Sequence, residues 1–440
     1  MRAPESRYNA GSRQIEWKLE VFFDGISNNP VIITRDNFLI SAEVLEEAMT
    51  SSNTPWGKIS ANELTASIQN DADQFNPANS TGPYYSKIKP GLQIDAYIRP
   101  TNNPAYEWDP IGKFLVSDWI TKSGGLTANI TCYDQLSIVL NAPKVKMPVY
   151  RGITEQEFIS NFFSTVGVPV IIDSTINQTL IFGYHSKENK DFLNNISSGM
   201  NLFIFCDHLG RVRVKNMRTE LSVAHTITDS DQIIDISAQQ NAALDYDGIQ
   251  LYQKVPQLSN TVEILSARNV TIPSGGLSVQ SQVFAKSPVA DVLAAKVTAH
   301  ADSFVNWHES NSIDFNYTVT NAASAEHEAN IIFYGRVIET VDTVLTDVGS
   351  NLLKLDNIYV QTAEQFESME RFLHAWVSGL TPIIDITVRG NPQFEIGQKI
   401  HVESTRYNIV FDGVLIRQKL RYDGGLSGTI TLMNSRILEV

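Results

Sequence analysis

The sequence predicts a mainly β protein with an α+β insert: two related β-barrel domains, one near each end of the 440-residue chain, around a small α+β middle region. The first observation behind this is an internal echo 300 residues apart. Phe114-Leu115-Val116 through Gly124-Gly125-Leu126 to Ile130-Thr131 matches Val414-Leu415-Ile416 through Gly424-Gly425-Leu426 to Ile430-Thr431, with six identities and no gap. The second is alternation inside the echo. Val414, Ile416 and Leu420 fall on one face and Arg417, Lys419 and Arg421 on the other, the period of a half-buried strand. Phe114, Val116 and Ile120 repeat the apolar face. The third is two segments with helical grammar between and before the repeats.

Each copy of the echo reads as a β-hairpin. Its paired glycines, Gly124-Gly125 and Gly424-Gly425, suit a turn because glycine takes positive φ without a Cβ clash. Upstream, Gly91-Leu92-Gln93-Ile94 answers Gly397-Gln398-Lys399-Ile400, each after an Asn-Pro pair, and Glu63 to Ile68 and Ile383 to Val388 read as the preceding strands. Duplication is the inference; the alternative is a coincidence between two β-rich segments. The chain then divides into an N-terminal arm (1–14), a first barrel (15–143), an α+β insert (144–225), a β-rich middle region (226–332) and a second barrel with a preceding helix (333–440), with boundaries good to several residues.

The insert opens with the capping-box spacing of Thr154 and Glu157, followed by Phe158, Ile159, Phe162, Phe163 and Val166 on one helical face and Gly167 as a stop. A strand at 168–172, a short helix at 189–198 and a hairpin of 202–206 with 211–215 follow. In the middle region, strands are expected at 247–254 and 313–319, and a helix is expected after Ser287-Pro288, through Val292, Ala295 and Val297. Thr362 and Gln365 form a second capping box ahead of Phe366, Met369, Phe372, Leu373 and Trp376, with Gly379 as the stop. That helix should pack against the second barrel.

Composition narrows the function. Hydrophobic residues are 42% and charged residues 19%, the balance of a folded protein. The first 14 residues lack a signal peptide's apolar core, and no run reaches the ~18 apolar residues of a spanning helix, so folding in a cytoplasm without membrane insertion is expected. Cys132 and Cys206 have no Cys or His at zinc-site spacing and are expected to be buried and reduced. With 34 basic against 48 acidic residues, the net charge of −14 disfavours tight DNA binding. It suits a conduit through which DNA slides, or ordinary solubility.

The sequence carries no catalytic or metal-binding constellation. Asp229, Asp231, Asp235, Asp245 and Asp247 are the densest acidic cluster, but their spacing matches no metal loop and reads as a solvated turn surface. His308-Glu309 and His327-Glu328 do not complete an HExxH pattern, and neither a GxSxG elbow nor a Walker or dinucleotide loop occurs. The chain is therefore read as a non-enzyme with no cofactor.

Taken in order, Trp56-Gly57-Lys58-Ile59, Glu63-Leu64, Ile68-Gln69-Asn70, Phe75-Asn76-Pro77, Pro83-Tyr84-Tyr85, Lys89-Pro90-Gly91 and Thr131-Cys132-Tyr133-Asp134 resemble the baseplate hub and tail-tip proteins of tailed phages, which are related to the hub portion of type VI secretion spikes. The insert resembles theirs at Phe205-Cys206-Asp207 and Gly210-Arg211-Val212, and the last stretch at Asn391-Pro392, Gly397 and Tyr422-Asp423-Gly424-Gly425. The likeness spans most of the chain. It implies a homotrimer whose two tail-tube-like barrels per subunit make a pseudo-sixfold ring, adapting a hexameric tail tube to a threefold spike or tip and lining a DNA channel. Implied partners are the tube or adjoining ring protein, the spike or tip and other baseplate subunits, in a virion assembled in the host bacterial cytoplasm. DNA would pass transiently, without specific binding. The chain stops at Val440, just past the second barrel, so the fused lysozyme, peptidase or spike of some relatives is expected to be missing.

Arg417, Lys419 and Arg421 make a basic face that suits an acidic neighbouring subunit, a passing DNA backbone or plain solvation. Tyr84, Tyr85, Tyr106 and Trp108 sit in loops longer than those of the second copy, where contacts to the tube or a second subunit are expected. Rival readings are a tail-associated carbohydrate-binding or carbohydrate-cleaving protein, which needs an aromatic-lined groove with paired carboxylates, and the hub of a phage-derived contractile injection system.

Overall fold

The computed structural model describes residues 8, 14–48, 58–101, 105–121, 125–185, 187–217, 222–229, 233–238, 246–275, 277–286, 288–298, 303–321, 325–378 and 383–435. The chain opens with seven strands, β1 (Ile15–Val21), β2 (Val31–Thr34), β3 (Leu39–Glu47), β4 (Glu63–Gln69), β5 (Gln93–Pro100), β6 (Asp109–Thr121) and β7 (Thr127–Tyr133). They pair antiparallel in the order β3-β4-β7-β6-β5-β1-β2. Along β1, Ile15, Trp17, Leu19 and Val21 are buried while Glu16, Lys18 and Glu20 between them are less so, the alternation that commits one sheet face to a core. The sheet curls around that core, which also holds Val44, Leu64, Ile94, Phe114 and Ile130. From the N-terminal arm, Tyr8 is buried in it too, donating its hydroxyl hydrogen to Asp109 at 2.6 Å.

Helix α1 (Leu136–Asn141) leads into the insert: β8 (Tyr150–Thr154), α2 (Glu155–Val166), β9 (Val170–Ile172), β10 (Thr179–Gly183), α3 (Asn189–Met200), β11 (Leu202–Cys206) and β12 (Val212–Asn216). The Thr154 side chain accepts from the Glu157 amide, and Gly167 ends α2 at φ 80°, as the sequence leads one to expect. Phe158, Ile159, Phe162 and Phe163 from α2 share a core with Phe192, Ile204 and Val214.

Next come β13 (Val223–Thr228) and β14 (Ile233–Ala238), then a second all-β body of β15 (Gly248–Leu258), β16 (Val262–Ile272), β17 (Leu277–Val283), β18 (Val289–Thr298), β19 (Ser303–Ser310), β20 (Asp314–Asn321), β21 (His327–Thr346) and β22 (Leu352–Asp356). The expected strands at 247–254 and 313–319 are β15 and β20. The helix expected after Ser287-Pro288 is instead strand β18. Two bulges, at Val289/Asp291 and Val292/Ala294, interrupt its alternation, so the residues packed against the core are Val289, Val292, Ala295 and Val297, a spacing that imitates a helical stripe.

The chain closes with α4 (Ala363–Val377), β23 (Ile383–Val388), β24 (Lys399–Ser404), β25 (Ile409–Tyr422) and β26 (Leu426–Asn434). Both halves of the Thr362/Gln365 capping box form, and Met369, Phe372, Leu373 and Trp376 join the core of the closing strands. The expected stop, Gly379, lies outside the described residues. Here β14-β23-β26-β25-β24-β13 follow one another. The boundary read at 333 therefore differs from the pairing: β21 belongs to the middle body, whereas β13 and β14, more than 140 residues upstream of β23, complete the closing sheet. Pairing at that sequence distance leaves no local pattern to read.

The two curled sheets repeat one wiring. β4·β7·β6·β5 and β23·β26·β25·β24 have the same antiparallel order, flanked by β3 and β14 respectively. Two of their irregularities also coincide. A bulge separates Leu39 from Ser41 on β3 and Ile233 from Asp235 on β14, leaving Ile40 and Ile234 exposed in both copies. Another separates Val116 from Asp118 on β6 and Leu415 from Arg417 on β25. Past that bulge, Trp119 faces Ile130 and Gln418 faces Ile430, so β6 and β25 correspond at an offset of 299 while β7 and β26 correspond at 300. The ungapped echo is thus one residue out on this strand. That corrects Ile120, expected inside: it matches Lys419 and is 60% exposed. The copies also differ: β5 carries a bulge at Ala96/Tyr97 that β24 lacks, and β13 runs parallel to β24 while β1 runs antiparallel to β5. In direction β13 matches β2, so among the described residues the closing copy has no counterpart of β1.

Insert and closing helix meet where the Gln365 side-chain amide donates to Glu155 at 3.0 Å. Burial pushes the Glu155 carboxyl up to about 7, against the hydrogen bonds from Gln365 and Gln178. A folded-state value above the unfolded one means the charged form is penalised; stability is highest below the unfolded value and falls as pH rises through 7. Glu155→Gln, which keeps an acceptor for Gln365, should flatten this decline and raise stability at pH 8 by on the order of 2 kcal/mol, read by denaturant unfolding across pH.

Candidate assembly interface

The upper half of β25, beyond its pairing with β24, turns to a new partner: Arg417 to Tyr422 run antiparallel to Glu47 to Ala42 of β3. One ladder therefore fuses the two barrels into a single 13-stranded sheet. Its inward side chains are shared. Leu420 and Tyr422, from the closing strand, are both 2% exposed and lie in the first barrel's core, with the Tyr422 ring 6.0 Å from that of Trp17. Outward, Lys419 meets Glu43 at 2.7 Å and Arg417 stands opposite Glu47. The basic face read from the sequence thus meets acidic residues of its own chain; Arg421, 60% exposed, reaches Asp423 at 3.7 Å.

The insert is keyed to this seam from one side. In the turn between β11 and β12, His208 Nε2 lies 2.9 Å from Glu46 Oε1, both buried. Asn62 donates to the Cys206 carbonyl, and its own amide is accepted by Asp134. Burial pushes Asp134 to about 7 despite backbone hydrogen bonds from Asn62 and Leu136, so this carboxyl acts as a structural acceptor. Both cysteines are buried and free, and burial pushes their thiols far above the range of a reactive thiolate.

Of the turn glycines, Gly424 takes φ 74°, and a Cβ there would strike the Arg35 guanidinium. Gly425 has open space around it, and Gly124 lies outside the described residues. Among the loop aromatics, Tyr84 stacks on Phe23 at 4.1 Å and on Phe75 at 5.3 Å, and the Trp119 indole donates to the Phe75 carbonyl. These rings pack with the first barrel's core. Tyr85 beside it is 47% exposed. Trp108 is packed under two cations, Arg99 at 4.3 Å and Lys18 at 4.8 Å, with Tyr106 half-buried nearby in sequence. The structure does not bring these aromatics to the seam.

The acidic run does not converge either. Asp229 accepts from Ser404, Thr405 and the Arg406 amide, Asp235 from the Tyr407 hydroxyl, and Asp247 from Ser350 and Asn351; Asp231 and Asp245 lie outside the described residues. No cluster able to hold a metal occurs among the described residues. A cleft of about 270 Å³ beside the seam holds two carboxylates, Glu47 and Glu63, but Tyr133 is its single aromatic, not the aromatic-lined groove a glycan site requires. Glu43, Glu46, Glu47, His208 and Tyr422 carry no motif that marks them as seam residues; which strand lies beside β25 is settled only in three dimensions.

Apolar burial should dominate the seam. Tyr422→Ala is expected to lower unfolding free energy by about 3–5 kcal/mol, while Lys419→Ala, removing a partly exposed ion pair, costs under about 1 kcal/mol, both by chemical denaturation.

No family model matches the chain, and no curated protein matches it in sequence. Solved structures do share its shape. The 43 kDa tail protein of prophage MuSo2 from Shewanella oneidensis superposes with a TM-score of 0.55 at 11% identity, covering 96% of this chain and 99% of its own. The tail protein from Neisseria meningitidis MC58 gives 0.54 at 9% identity, covering 96% and 98%. Over almost its whole length, the chain has the fold of these phage and bacterial tail proteins.

Proposed function

We propose that this protein is a structural hub of a phage tail baseplate or tip, a homotrimeric ring that joins a hexameric tail tube to a threefold spike and surrounds the path of the DNA. One observation carries the reading. A single chain supplies two units of the same strand order with two bulges in common, joined edge to edge, which is what a ring of six similar units needs if built from three subunits. The full-length likeness to two tail proteins supports it. In this reading residues 15–143 and the closing barrel form the ring, and the insert and middle body project from it to meet the tube, the spike and other baseplate subunits. The net charge of −14 keeps DNA from adhering to the channel.

Purified protein should elute with the mass of three chains by light scattering, and electron micrographs should show six-lobed rings. In assembled particles the chain should occupy the threefold position between tube and tip. A density map that places it elsewhere, or with six copies, would overturn the assignment.

A further inference from the structure

In the middle body the long strand β21 is paired on both edges for only part of its length. Its residues 338–346 are paired by β15 on one edge, and β18 pairs the other edge no further than Val337. Where the two meet, the Val337 carbonyl accepts from the Ser259 amide on the β15 side, and the Ile338 amide donates to the Pro288 carbonyl on the β18 side at 2.9 Å. Strand backbone alternates, so the amides and carbonyls of Thr340, Asp342, Val344 and Thr346 also turn away from β15. The Asp347 amide, bonded to the Ile249 carbonyl beside β15, keeps the same alternation. No strand among the described residues covers this edge.

Proteins blunt an open edge with lysine, proline or a bulge, and 338–346 has none of them. Thr340, Val341, Thr343, Val344 and Thr346 are β-branched, as strands favour. Val341 is 50% and Val344 46% exposed. On the face that carries Val341, Leu345 lies opposite Leu251 and packs against the core of the closing strands, so a further strand would extend that core sideways. On the other face Asp342 meets Lys254 at 2.7 Å. The stretch holds two carboxylates, Glu339 and Asp342, and no basic residue.

We infer that an extended basic segment of another polypeptide adds to this edge as a further strand. It bonds to the main chain of Thr340, Asp342, Val344 and Thr346, with apolar side chains beside Val341 and Leu345 and basic ones beside Asp342. Charge decides the occupant. A second copy would bring the same carboxylates and a net charge of −14, and two like edges mate about a two-fold axis, which a ring of three cannot satisfy. The inference deepens the hub reading and rests on it for the partner, another subunit of the assembly.

The probe is a fluorescent octapeptide alternating lysine and valine, titrated with the full-length protein and read by anisotropy. Saturable binding is expected, weakened at least about tenfold by Val344→Pro, which removes an amide that the ladder to β15 does not use. An added strand turns alternate amides to its neighbour, so N-methylating one set, the peptide's lysine amides or its valine amides, should abolish binding while methylating the other leaves it. That comparison needs no variant protein and stands even if Val344→Pro does not fold. Binding that survives Val344→Pro, or that falls with both methylated sets or with neither, is general attraction to an acidic surface and overturns the proposal, as does no binding. Self-association that Val344→Pro abolishes would give the edge to a second copy and overturn it too. A three-chain assembly that ignores the peptide leaves the hub without the added strand; a chain that stays monomeric yet binds in this pattern leaves the added strand without the hub.

Discussion

The structure depends on the ladder between β25 and β3. Main-chain hydrogen bonds fix its geometry, but its strength comes from the two side chains it carries across, Leu420 and Tyr422, which fill a core belonging to the other end of the chain. The ion pairs along its outer face lie in partial solvent and contribute alignment more than energy. Because one long strand serves both barrels, their relative orientation is set by the twist of a continuous sheet and not by a linker.

That rigidity explains how the insert and middle body are held. The insert reaches the seam through buried polar contacts, Glu46 with His208 and Asn62 with the Cys206 carbonyl, which are directional and leave little freedom to slide. At its far side Arg151 grips Asp291 of β18, a carboxylate also held by Arg336 of β21, so the insert and the middle body share one charged clamp. Bodies tied to one another at several points are held as a unit and not as beads on a string.

Much of this was legible in the sequence because it is local. Capping residues Thr154 and Thr362, the Phe158–Phe163 stripe and the hairpin of β11 and β12 are short-range patterns, and each forms where its residues say. Duplication was visible through Gly-Gly-Leu and the alternation around it. Bulges hid what was missed: one inserted residue reverses which face a strand shows, which put Ile120 on the wrong side and made β18 resemble a helix. Strand neighbours distant in sequence, such as β13 with β24, left no trace in composition. The seam fell into the same class, its acidic half on β3 and its basic half on β25 being separated by most of the chain.

The shared strand also has a consequence for synthesis. Residues 409–422 leave the ribosome some 360 residues after β3, so throughout translation the first barrel waits with Leu420 and Tyr422 absent from its interior and one border unzipped. Maturation of the earliest-made part is thereby tied to arrival of the last strand but one. A truncated product would display that unzipped border to every other nascent chain, which makes premature termination more hazardous for this protein than for one whose halves finish folding independently.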